Sequence, residues 1–195
     1  MRLVLATHNQ GKVRECREIL GRSIPGLEVL EYHGPEPVED GVTFHQNALI
    51  KARAACAYTG LPALADDSGI CVDVLGGSPG IFSARWSGRH GDAQANNRLL
   101  LAQLADVSDP NRGAHFTATL AFVLPGGEEV VVDGRWNGHI AHEARGTNGH
   151  GYDPIFVPDG STLTAAELTG DVKNDQSHRA RAFAELIPVI QARQA

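Results

Sequence analysis

Short apolar runs alternate along the chain with stretches in which apolar residues recur every three or four positions. Leu3 to Ala6 is such a run; after polar Thr7-His8-Asn9, Val13, Cys16, Ile19 and Leu20 fall on one helical face. A strand, a loop and a helix are predicted, followed by a second strand over Leu27 to Leu30 and a Gly/Pro/acid-rich loop from His33 to Gly41. Thr43-Phe44-His45-Gln46 has the form of a capping box. The helix it opens runs to about Tyr58, with Phe44, Ala48, Ala52 and Ala55 facing inward. Leu61 to Ala65 reads as a third strand that stops at Asp66-Asp67-Ser68-Gly69, with extended structure resuming over Ile70 to Val74. A turn cluster over Leu75 to Gly80 precedes a short helix around Ile81 to Trp86 and a longer one from about Ala93 to Leu104.

Phe116 to Leu124 and Glu129 to Val132 flank Pro125-Gly126-Gly127 as a long hairpin, whose second strand continues through Trp136 to Ile140. After a Gly-rich loop from Gly146 to Gly151 come a short strand, Pro154 to Val157, and a last helix beginning near Asp175. That helix carries Ala180, Phe183, Ile187 and Ile190 on one face, with Pro188 bending or ending it. Early alternation of strands and helices followed by a hairpin implies a mixed α/β sheet with helices packed on it. No repeat, linker or low-complexity tract marks a boundary, so residues 1–195 are expected to form a single domain.

Composition narrows the function. Hydrophobic residues make up 42% and charged residues 21%, as expected of a chain folded throughout. A net charge of −6 repels polyanions, which argues against long nucleic acids while leaving room for a small anion held by a local cluster of lysines. Cys16, Cys56 and Cys71 lie far apart and read as buried hydrophobes. The short N-terminal apolar run is not a signal peptide, and no apolar run approaches a membrane span. A cytoplasmic enzyme is expected.

Five places can carry chemistry. Thr7-x-Asn9-x-x-Lys12 stands where the first strand hands over to a helix, where free N–H groups and the helix dipole favour an anion; an ordinary helix cap with a solvated lysine is the other reading. Lys51 falls near the inward seam of its helix, so it either snorkels out or faces a polar cleft. Asp66-Asp67-Ser68-Gly69 ends an apolar strand, where α/β sheets place ligands, unless it is a plain Asp-Ser-Gly turn. Successive strand residues point to opposite faces, so one aspartate is expected to work directly and the other to support it. Glu39 and Asp67 are the candidate Mg²⁺ ligands, completed by water and phosphate oxygens. Gly149-His150-Gly151-Tyr152-Asp153-Pro154 suits a loop that stacks a base, or a structural turn. Lys173, His178 and Arg179 place cations around the start of the last helix, which hints at a ligand or acidic partner against a solvated helix start.

Taken in order, Ala6-Thr7-His8-Asn9-Gln10-Gly11-Lys12, Thr43-Phe44-His45-Gln46-Asn47-Ala48 with Lys51-Ala52, Ala65-Asp66-Asp67-Ser68-Gly69, Leu75-Gly76-Gly77-Ser78-Pro79-Gly80, Gly149 to Pro154, Ala166-Glu167-Leu168-Thr169 and Ser177-His178-Arg179 resemble the inosine/xanthosine triphosphate pyrophosphatases, the Ham1-like family. The resemblance covers nearly the whole chain. It implies an elongated mixed β-sheet flanked by helices, in two lobes with a nucleotide cleft between them, and a homodimer. It also implies Mg²⁺-dependent cleavage of the α–β phosphate bond of ITP, dITP or XTP, which cleanses the nucleotide pool. By position, Thr7, Asn9, Lys12 and Lys51 would bind the triphosphate, and Glu39 and Asp67 the metal, with Asp67 also the general base. Ser68, His150, Tyr152, Asp153, Lys173, His178 and Arg179 would complete the substrate site.

The chain departs from the family pattern twice. His150 stands where the family usually has Phe, and Gln46 where it often has Glu; Gln46 is left out of the metal site because an amide is the poorer ligand. Two rival readings remain: a pyrophosphatase for other modified nucleotides, and a triphosphate sensor without turnover.

Overall fold

The first strand sets the layering. In the computed structural model, which describes residues 1–193, β1 (Arg2–Leu5) sends Leu3 and Leu5 into one buried cluster and Val4, with Ala6 just beyond, into another. The period of two is the strand's own. The elements that follow are α1 (Gln10–Ser23), β2 (Glu28–Glu31), α2 (Phe44–Thr59), β3 (Ala63–Val72), α3 (Ala93–Gln103), β4 (Gly113–Val123), β5 (Glu129–Ile140), β6 (Phe156–Pro158), α4 (Gly170–Gln176) and α5 (His178–Gln191). The strands are hydrogen-bonded in the order β2-β1-β3-β4-β5-β6. β1 runs parallel to β2 and β3, and β6 antiparallel to β5, so the sheet is mixed and flanked by helices, as expected. No helix among the described residues is long and apolar enough to cross a membrane.

The chain divides into two compact units, and it passes from one to the other within β3, β4 and β5 and at the start of α5. The first comprises residues 1–67, 118–134 and 179–195. It is a three-layer sandwich. Val13, Cys16 and Leu20 of α1 and Ala182, Phe183, Leu186 and Ile190 of α5 pack with Leu3, Leu5, Leu64, Leu120 and Phe122. On the opposite face, α2 contributes Ala48, Ala52 and Ala55 against Val4, Ala63, Ala65, Ala121 and Val123. Three alanines in one stripe let the helix backbone lie close to the sheet, which brings the next side chain round the helix, Lys51, within reach of the strand ends. The second unit comprises residues 68–117 and 135–178. Its core joins Ile70, Val72, Leu100, Leu104, Phe116, Trp136, Tyr152, Ile155 and Phe156.

Three expectations need correction. Asp66 to Gly69 do not interrupt a strand: β3 is continuous from Ala63 to Val72, because the Asp66 carboxylate is engaged by distant cations rather than by its own backbone, the interaction a turn would need. The segment before residue 178 is a separate helix, α4, broken from α5 at Ser177, where ψ is 159°. Its one aliphatic residue, Val172, is 42% exposed, so no apolar periodicity announces it. Pro188 does not end α5, which continues to Gln191. In addition, the segment around Ile81 to Trp86 is a 3₁₀ turn over Gly80–Arg85, and another over Asp153–Ile155 precedes β6.

Candidate active site

In the first unit, cations gather on two consecutive aspartates. Asn9 caps α1, its Oδ1 accepting the N–H groups of Gly11 at 2.9 Å and Lys12 at 3.2 Å, while Thr7 Oγ1 accepts the Asn9 N–H at 3.1 Å. The cap reading is thus correct for Asn9, and the solvated reading fails for Lys12. The Lys12 ammonium donates to Asp66, 3.3 Å from Oδ1 and 3.3 Å from the main-chain oxygen. Lys51 approaches from α2, donating to the Asp66 carbonyl at 3.1 Å and to Asp67 Oδ1 at 2.8 Å; Glu39 Oε2 lies 3.1 Å away. Lys51 therefore faces a polar cluster instead of snorkelling out. Burial works against its charge, but Asp67 and Glu39 more than offset this and hold it above an ordinary lysine.

Asp66 is the hub. Its side chain is 2% exposed, and its Oδ2 accepts Arg179 Nε at 2.5 Å, while Arg179 Nη1 donates to Glu15 Oε2 at 2.7 Å. Burial alone would raise the Asp66 pKa; Arg179 and Lys12 outweigh it and hold the group well below the usual carboxylate range. Burial likewise opposes the Arg179 charge, and Asp66 and Glu15 overcome it. Asp67 goes the other way: burial raises it, and Lys51 only partly compensates. Cys16, buried nearby, is pushed up to about 12 by burial first and by Asp66 second, which leaves it an inert thiol.

Glu39 lies in the loop that leads into α2. Gln46 N–H donates to Thr43 Oγ1 at 3.2 Å, which is half of the expected capping box; the return bond is displaced by one residue, Gln46 Oε1 accepting Val42 N–H at 2.7 Å instead of the Thr43 N–H. A Cβ on Gly41 would stand 2.6 Å from Asn47 Oδ1, so only glycine lets that loop lie against α2.

In the second unit, the loop carrying His150 is tied down by buried groups. Asp153, 2% exposed, accepts the His150 N–H at 2.7 Å and the Lys173 ammonium at 2.5 Å. Burial would raise its pKa, but His150 and Lys173 lower it further than burial lifts it. Tyr152 is buried, its hydroxyl donating to the Ser83 carbonyl at 2.8 Å. It serves the core, whereas the His150 ring is 64% exposed. His178 stacks on Phe116 with centroids 4.9 Å apart and 15° between planes. Ser68 is half-buried on β3, next in sequence to Asp67.

The residues singled out from sequence thus fall into two groups: Thr7, Asn9, Lys12, Glu39, Lys51, Asp67 and Arg179 in the first unit, and Ser68, His150, Tyr152, Asp153, Lys173 and His178 in the second. Sequence reasoning left the residues around them unassigned. Glu15 lies three positions after Lys12 on α1, a spacing that puts both on one helix face and offers a cue to its pairing with the cluster. Asn96 and Asn97 precede the apolar Leu99-Leu100-Leu101, and their burial, 3% and 9% exposed, has no sequence signal beyond that position.

Known proteins share this arrangement of chain. The model of the Ham1 family matches residues 3–189. A protein of Leifsonia xyli subsp. xyli named dITP/XTP pyrophosphatase is 68% identical over 192 residues, covering 98% of this chain and 96% of its own. The crystal structure of a nucleoside-triphosphatase / dITP/XTP pyrophosphatase from Mycobacterium abscessus is 52% identical with a TM-score of 0.82, covering 96% of this chain and 100% of that one. A HAM1 protein from Coxiella burnetii, 38% identical, gives a TM-score of 0.91 over 98% of this chain and 99% of its own. With the family model spanning residues 3–189 and relatives matched over nearly their full length, the chain belongs to the Ham1 family.

Proposed function

We propose that the chain hydrolyses non-standard purine nucleoside triphosphates, ITP, dITP and XTP, to the monophosphate and pyrophosphate with Mg²⁺, cleansing the nucleotide pool. The observation that carries this reading is the convergence of Lys12 and Lys51 on Asp66 and Asp67, with Glu39 on the same ammonium. Attack of water on phosphorus spreads negative charge over phosphoryl oxygens. Two lysines held at fixed positions answer that charge without reorganising, and Asp67 is the carboxylate that takes the water's proton. Full-length relatives named dITP/XTP pyrophosphatase support this substrate class.

The donor set fits Mg²⁺. Glu39 and Asp67 both direct a carboxylate oxygen at the Lys51 ammonium, at 3.1 and 2.8 Å, so their negative charge is focused on one place. Two hard oxygen ligands are what Mg²⁺ takes when substrate phosphates and water fill the rest of its shell. The named charges point the same way: Lys12, Lys51 and Arg179 are outnumbered by Glu15, Glu39, Asp66 and Asp67. A bare triphosphate meets no excess of positive charge there, and the ion supplies it. When bound, the ion polarises the phosphoryl oxygens and lowers the pKa of attached water.

In the second unit, His150 offers its exposed ring to the purine, and Lys173 and His178 complete the contacts with base or phosphate. We place the enzyme in the cytoplasm as a homodimer acting on free nucleotides; the net charge of −6 disfavours a nucleic-acid polymer. The test is to incubate the purified protein and Mg²⁺ with a panel of triphosphates and resolve the products by chromatography. Monophosphate and pyrophosphate from ITP, dITP and XTP, with standard nucleotides much slower, is the expected result. Orthophosphate as first product would overturn α–β cleavage, and tight binding without turnover would favour a sensor.

A further inference from the structure

We infer that Asn97 is a positioning residue for the base-contacting loop. It acts by fixing the peptide that follows His150, and the inference rests on the reading that this loop meets the purine. On α3, the buried stripe contains two amides, Asn96 and Asn97, beside Leu100. Asn96 is fully engaged. Its Oδ1 accepts Ser87 N–H at 2.8 Å and Ser87 Oγ–H at 2.7 Å, and its Nδ2 donates to the carbonyls of Ser83 and Ala84 at 3.3 and 3.4 Å. Asn97 differs. Its Nδ2 donates to the Gly151 carbonyl at 3.0 Å, while its Oδ1 is enclosed without a hydrogen-bond partner among the described residues.

An enclosed acceptor with no donor is unfavourable. An apolar side chain of the same shape would fill the space without it, so what the amide contributes at this position is the bond to Gly151. Its orientation is fixed: the flipped amide would set two acceptor oxygens face to face at the same distance.

Gly151 has φ of +63° and is the most pliable residue between two anchored ones. His150 is tied through its N–H to Asp153, and Tyr152 through its hydroxyl to Ser83. The Asn97 bond is the third tie, at the residue next to the exposed His150 ring. All of these groups lie in the second unit, while Lys12, Lys51, Glu39 and Asp67 lie in the first. Loosening the loop should therefore weaken recognition of the base while leaving the grip on phosphates intact.

The experiment compares wild type, Asn97→Leu and Asn97→Gln with Mg²⁺, measuring kcat and KM for ITP and the inhibition constant of inorganic tripolyphosphate, which has no base. Asn97→Leu is expected to raise KM for ITP about tenfold, the scale of one lost hydrogen bond with its partner left unpaired. It should change kcat and tripolyphosphate inhibition by less than about threefold, well short of that same loss. Asn97→Gln, which keeps an amide donor, should fall between wild type and Asn97→Leu. An unchanged KM, or a parallel loss of ITP and tripolyphosphate binding, would overturn the inference by making Asn97 a filler or a general structural residue. If Asn97→Leu cannot be obtained folded, Asn97→Ser carries the same comparison, since its smaller side chain cannot overpack. A wild-type protein that leaves ITP intact would instead overturn the underlying reading of function, and is recognised before any variant is made.

Discussion

Replacing each of two adjacent aspartates by asparagine should produce opposite phenotypes. Asp66 and Arg179 form an ion pair whose side chains are 2% and 4% exposed. Removing one partner of such a pair costs about 3–5 kcal/mol, because the remaining charge is buried uncompensated. Two features place Asp66→Asn at the lower end: an asparagine oxygen can still accept from Arg179 Nε, and Glu15 remains 2.7 Å from Nη1. The expected loss is about 3 kcal/mol, which in a chain of this size lowers Tm by about 6–12 °C. Asp67 is 14% exposed, and its partner Lys51 would keep Glu39 and the Asp66 carbonyl, each at 3.1 Å. Asp67→Asn should thus cost less than about 1 kcal/mol, while ITP turnover falls by about 10²-fold or more for loss of the proposed general base. Scanning calorimetry without nucleotide, paired with pyrophosphate release from ITP, reads both quantities. An Asp66→Asn protein as stable as wild type would refute the hub role, and an Asp67→Asn protein that unfolds would place Asp67 among the structural residues.

Two further outcomes follow from the loop in the second unit. Gly149 has φ of +75°, and a Cβ there would stand 2.1 Å from Asp153 Oδ2 and 2.9 Å from Lys173 Nζ. Gly149→Ala should therefore destabilise the protein by about 2 kcal/mol or more and raise KM for ITP; a fully stable variant in urea titration would show that the loop has slack. Asp153 has its pKa held below the ordinary 3.8 by His150 and Lys173 against the opposing effect of burial. Because the folded value is depressed, its contribution is fully present above the unfolded pKa and is lost as pH falls through the folded one. Tm of wild type should consequently decline more steeply than that of Asp153→Asn below about pH 4, and parallel curves would refute the assignment.

Much of this was legible in the sequence, and the failures share a cause. The layering of the first unit follows from alternation in Leu3 to Ala6 and from the alanines of α2, both short-range patterns. Turn chemistry misled at Asp66 to Gly69, because the sequence cannot show that Arg179, 113 positions away, will take the carboxylate that would otherwise cap a turn. Local propensity lost to a long-range charge pair. Tyr152 invited a stacking role by its neighbours, yet its burial and its bond to Ser83 belong to packing. The supporting residues Glu15, Asn96 and Asn97 act through partners distant in sequence, and side-chain identity alone does not name those partners.

The two departures from the family pattern fall where the structure uses an atom that both residue types possess. At position 46, the side-chain oxygen accepts the Val42 N–H; a glutamate oxygen would do the same, so the amide ties Val42 to the first turn of α2 without adding a charge. At position 150, the backbone N–H donates to Asp153 whatever ring follows it, and the imidazole adds a contact of its own, Nδ1 lying 3.5 Å from the same carboxylate. The ring itself is 64% exposed, so exchanging phenylalanine for histidine requires no repacking of the core. The path of the loop backbone is set by Asp153 and Asn97 on either side of the ring, and the imidazole contact is added to that support. In the proposed reaction His150 would bear on how tightly a purine is stacked, whereas cleavage would rest on the charges gathered around Asp66 in the first unit.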